Sequence, residues 1–107
     1  MEKQINILKL LKQKLIDNFG NDIQNVILFG SQAYGNSKED SDYDVLIVLK
    51  NAYDWKYRDR IYDISYDISV ENDIIFDIHL LSADEISNSI RAKQPIFQNA
   101  LKQGVYA

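Results

Sequence analysis

Gly30-Ser31 is followed, after ten intervening residues, by Asp42-Tyr43-Asp44, and a further aspartate, Asp77, sits in a later apolar run. Each part suits phosphate chemistry. A Gly-Ser turn lets backbone N–H groups and a small hydroxyl approach a phosphate closely, which a bulky side chain at Gly30 would block. Asp42 and Asp44, two residues apart on an extended segment, set two carboxylates on one face, and hard cations such as Mg²⁺ take oxygen ligands of this kind. Two such ions about 3.5–4 Å apart would clamp the attacking and leaving oxygens of an in-line displacement at phosphorus. Asp77 completes the set if its strand lies beside that of Asp42. An isolated Asp-x-Asp reads as a strand cap and an edge residue, but three like charges on one face repel unless a cation holds them.

These residues need strands beneath them. Val26 to Phe29 is a short β-branched and apolar run closed by Gly30, and Asp42 opens a second, Val45 to Leu49. Ile74 to Leu81 forms a third, with Asp77 and His79 on one face and Phe76, Ile78 and Leu80 on the other. Ile7, Leu8, Leu11, Leu15 and Phe19 recur at helical steps from Lys3 to Phe19, with Gly20 as C-cap. Asn51 to Asp54 supplies a turn and an N-cap, after which Tyr57, Ile61, Ile64 and Ile68 form a second stripe, stopped by Glu71-Asn72-Asp73. Ser82-Ala83-Asp84-Glu85 has the capping-box pattern, and Pro95 begins a last helix ended by Gly104. Gln32 to Ser41 reads as a loop containing at most a short turn. The expectation is an α+β, or small α/β, fold: one domain over residues 1–107, with a small mixed β-sheet of three to four strands. So few strands are expected to be covered by helices on one face only.

Composition narrows the function. The chain has 107 residues, 46% of them hydrophobic and 26% charged, as one globular domain requires. With no cysteine there is no disulfide framework, thiolate zinc site or thiol nucleophile. The net charge of −4, from 12 Lys and Arg against 16 Asp and Glu, argues against nucleic acid as partner. Aspartate far outnumbers glutamate, a bias toward caps, turns and metal loops. Lys9, Lys12 and Lys14 interrupt the first apolar pattern, so neither a secretory segment nor a membrane span is expected, and a cytoplasmic location follows as the default.

Leu28-Phe29-Gly30-Ser31-Gln32-Ala33-Tyr34-Gly35, with Asp40-Ser41-Asp42-Tyr43-Asp44-Val45-Leu46-Ile47-Val48, resembles the signature of polymerase-beta-type nucleotidyltransferases. Within these the chain is most similar to the minimal nucleotidyltransferases, the MNT proteins. The ending, Pro95-Ile96-Phe97 through Lys102-Gln103-Gly104-Val105, fits that group as well, so the resemblance covers nearly the whole chain. It implies that Gly30 and Ser31 hold the triphosphate of ATP, that Asp42 and Asp44 bind two Mg²⁺ ions, and that Asp77 shares a metal and activates the acceptor hydroxyl. It also implies a partner, a HEPN-type toxin encoded nearby, to whose tyrosine an MNT antitoxin can transfer AMP. A short chain leaves little room for its own acceptor-recognition domain, in keeping with an acceptor presented by another protein. The competing reading is a non-catalytic antitoxin that neutralises its partner by occlusion; transfer to a small molecule is disfavoured by the lack of a second domain. Assembly with copies of itself is left open.

Other residues carry plainer readings. His79, the single histidine, could orient the acceptor or donate to a phosphate, but a lone strand histidine is usually structural. Tyr34 and Gly35 read as loop geometry and Lys38 as a solvated surface cation. Asp59, Asp63 and Asp67 form a solvated helix face beside Lys56, Arg58 and Arg60. Of Tyr53, Trp55 and Tyr57, whichever ring stays exposed is an interface candidate.

Overall fold

The computed structural model describes residues 1–34 and 42–107, so Gly35 and Lys38 lie outside the described residues. Helix α1 (Glu2–Phe19) leads through a 3₁₀ turn into strand β1 (Ile23–Phe29). A four-residue helix α2 (Ser31–Tyr34), strand β2 (Tyr43–Leu49), helix α3 (Trp55–Asn72) and strand β3 (Phe76–Ser82) follow. Helices α4 (Ala83–Asn88) and α5 (Pro95–Gln103) and a two-residue strand β4 (Val105–Tyr106) complete the order.

The sheet runs β3-β2-β1-β4, with β1 antiparallel to both β2 and β4 and β2 parallel to β3. It is therefore a four-stranded mixed sheet in an α+β chain. The β2–β3 crossover is α3, as a parallel connection requires. Its start is fixed by Asp54, whose side chain accepts a hydrogen bond from the Tyr57 amide at 2.9 Å, and its end by Asp73, in the left-handed region with φ 54°. Ser82 and Glu85 form the expected capping box at α4.

Strand alternation divides the core in two. On one face Val26, Leu28, Val45, Ile47 and Leu80 pack against Leu8, Leu11 and Leu15 of α1 and Ile61 and Ile68 of α3. On the other, Ile27, Phe29, Leu46, Val48 and Leu81 pack against Ala92 and against Phe97 and Ala100 of α5. The sheet is thus covered on both faces, which corrects the one-face expectation. The cause is α5, whose apolar residues fold back over the β1–β2 centre before β4 adds to β1. Among the described residues no helix is long and apolar enough to cross a membrane.

Candidate active site

Position along the strands decides which acidic groups meet. In the parallel β2–β3 ladder Asp44 stands opposite Asp77, and in the antiparallel β1–β2 ladder it stands opposite Phe29, one residue before Gly30. Tyr43, Val45 and Ile47 are buried under α1 and α3, so alternation turns Asp44 to the α5 face. Asp77 lies on that same face, since Phe76 and Ile78 pack on the other. Asp42 is exposed immediately before β2.

Gly30 closes β1 with φ +73°, a conformation side chains rarely adopt. A Cβ there would collide with the Asp44 carboxylate. The glycine thus supplies the room in which that carboxylate sits, a requirement separate from any approach of a phosphate. Ser31 begins α2 half-buried, beside the same turn.

Burial raises the Asp44 carboxyl above its ordinary pKa; a hydrogen bond with Asp77 and the charges of Asp77 and Asp42 add to this, while His79 opposes it. Two carboxylates brought together on one face in this way present the donor set that a hard divalent cation takes. One ligand atom from each of Asp44, Asp77 and His79 lies within 4.8 Å of the others. Asp42 acts on Asp44 through charge and is outside that closest set. The residues therefore fit a divalent metal.

His79 takes a place that the plainer reading of the sequence did not give it. Its Nε2 is 3.4 Å from Asp77 Oδ2. Its ring lies 5.7 Å from both Phe29 and Phe97, centroid to centroid. The signal was in the sequence, because Asp77-x-His79 on a strand shares one face. Residues that the sequence did not mark, among them Tyr62, Tyr66, Val70 and Ile75, line a groove of about 700 Å³ along the β3 edge. Exposed side chains on a polar-looking helix gave no hint of it. Of the three rings at the start of α3, Tyr53 donates to the Leu80 carbonyl and Tyr57 stacks on Phe19, which leaves Trp55 exposed. Asp59, Asp63 and Asp67 are all exposed, as expected of a solvated helix face.

The nucleotidyltransferase domain family matches residues 8–101. Two proteins of Methanocaldococcus jannaschii, each named "Putative protein adenylyltransferase", are similar. MJ0141 is 37% identical over 71 residues, 66% of this chain and 72% of the relative. MJ1305 is 47% identical over 51 residues, 47% of this chain and 35% of the relative, so the chain matches about a third of that protein's length. Among solved structures, a complex of a tri-AMPylated Shewanella oneidensis HEPN toxin with its MNT antitoxin shares the fold, at TM-score 0.55 and 18% identity over 96% of this chain and 70% of that one. With the family match running from α1 into α5 and the Gly-Ser turn and aspartates in place within it, the chain belongs to the nucleotidyltransferase domain family.

Proposed function

We propose that this domain transfers a nucleoside monophosphate, AMP from ATP, to a hydroxyl on a partner protein, a HEPN-type toxin whose acceptor is a tyrosine, and so acts as an antitoxin. The observation that carries this reading is the convergence of Asp44 and Asp77 beside the Gly30-Ser31 turn. In the reaction the acceptor oxygen attacks the α-phosphorus, the bond from that phosphorus to the bridging oxygen breaks, and pyrophosphate leaves. Gly30 and Ser31 hold the triphosphate, and Asp42, Asp44 and Asp77 would hold the divalent ions. A bound divalent ion would neutralise the negative charge that builds on the phosphate oxygens.

Asp77 accepts the proton of the acceptor hydroxyl at a carboxylate oxygen. Its side chain is about half exposed, open to an incoming hydroxyl, which supports that role. Positioning of acceptor and nucleotide supplies most of the rate. The cytoplasm is the proposed place of action.

Asp42→Asn and Asp44→Asn separate transfer from occlusion. Each is expected to cut nucleotidyl transfer by about 100-fold or more while the partner still binds, and toxin neutralisation should fall with transfer. Undiminished neutralisation by both variants would mean that the domain works by occlusion.

A further inference from the structure

We propose that His79 is a metal ligand, and that Asp44, Asp77 and the His79 imidazole form a mixed oxygen–nitrogen site that favours Mn²⁺ and similar transition ions over Mg²⁺. The inference rests on the reading of Asp44 and Asp77 as metal-binding groups and adds the identity of the ion they select.

The ring is held at the cluster by two aromatic neighbours from different elements. Phe29 ends β1 and Phe97 comes from α5, each with its ring centroid 5.7 Å from that of His79. Between them the imidazole side chain is only 23% exposed, and its Nε2 is buried with no hydrogen-bond partner among the described residues. Asp77 Oδ2 stands 3.4 Å away without the alignment of a hydrogen bond. A slot between two phenylalanines could be filled by an apolar side chain with no polar atom to satisfy. A buried ring nitrogen without a partner is therefore a feature that packing does not explain.

Coordination explains it. One atom from each of the three residues already lies within 4.8 Å of the other two, and the Asp77 carboxylate, about half exposed, is free to turn toward a shared ion. Oxygen donors alone suit Mg²⁺, which binds through carboxylates, waters and phosphates. A neutral imidazole nitrogen shifts preference toward transition ions, in an affinity order that rises from Mn²⁺ through Co²⁺.

The test uses the whole chain without nucleotide. Calorimetric titration with Mg²⁺, Mn²⁺ and Co²⁺ is expected to give Mn²⁺ binding at least tenfold tighter than Mg²⁺, and Co²⁺ tighter still. His79→Asn and His79→Gln should lose the Mn²⁺ advantage and keep Mg²⁺ affinity within about twofold, while Asp44→Asn should lose all three ions. Pulsed electron paramagnetic resonance of Mn²⁺ on the unaltered protein should show coupling to a nitrogen nucleus, a readout that needs no variant to fold. Bound Mn²⁺ without that coupling, or an unchanged Mn²⁺-to-Mg²⁺ ratio in the folded His79 variants, overturns the His79 assignment alone. Undiminished metal binding by Asp44→Asn overturns the carboxylate site beneath it.

Discussion

Gly30 shows how one residue type serves two neighbours. Its φ of +73° would cost another residue about 1–2 kcal/mol, and a Cβ would strike the carboxylate of Asp44. Gly30→Ala is therefore expected to weaken divalent-ion binding by tenfold or more in a chain that still folds, as read by calorimetry and circular dichroism. A second residue-scale effect lies away from the site. The Tyr57 hydroxyl donates to Asp22 Oδ2, and burial together with that carboxylate raises its pKa well above the ordinary tyrosine value. Because the folded state holds this proton more tightly, the contribution is complete below the unfolded pKa of about 10 and is lost as pH rises beyond it. Tyr57→Phe should cost about 1.5 kcal/mol at pH 7. Urea melts of the two proteins should converge at higher pH; a gap that stays constant from pH 7 to 11 would remove this account.

At the scale of elements, the connection from α5 to β4 has the tightest steric requirement. A Cβ on Gly104 would meet Ile27 Cγ2 and the Ala100 carbonyl, with the Leu28 carbonyl 3.0 Å away. Gly104→Ala is expected to destabilise the fold by about 1–3 kcal/mol and to speed amide exchange where β4 pairs with Ile27 and Leu28; unchanged exchange there would show that the strand does not depend on this approach. The sequence made most elements legible. Leu8, Leu11 and Leu15, the Asp54 cap and the Ser82-Glu85 box announced their helices, and apolar runs announced β1, β2 and β3, each of them local signals. Strand β4 escaped because two residues, Val105 and Tyr106, carry no period to read. The covering of the second face escaped for a different reason. Phe97 and Ala100 mark α5 as amphipathic, but only the tertiary path shows that its apolar side lies on Ile27 and Leu46.

Across the whole molecule, α1 and α3 on one side and α5 on the other hold a sheet whose β2–β3 ladder carries Asp44 and Asp77 in register. The candidate site was legible to the extent that motif and alternation could make it so: Gly30, Ser31, Asp42, Asp44 and Asp77 stand out by type and spacing. The pairing of Asp44 with Asp77 needed the parallel register. The clamped position of His79 needed two aromatic residues 68 positions apart in the chain, Phe29 and Phe97. The groove beside Asp77 is assembled from α3 and β3 side chains that are individually unremarkable. The proposed activity moves the α-phosphorus of a nucleoside triphosphate onto a protein hydroxyl. The most direct measurement incubates the protein, a divalent ion and the proposed HEPN-type partner with ATP labelled either at the α- or at the γ-phosphate. Covalent label is expected on the partner from α-labelled ATP alone, abolished by Asp44→Asn; label from γ-labelled ATP, or none from either, would rule out nucleotidyl transfer to the partner.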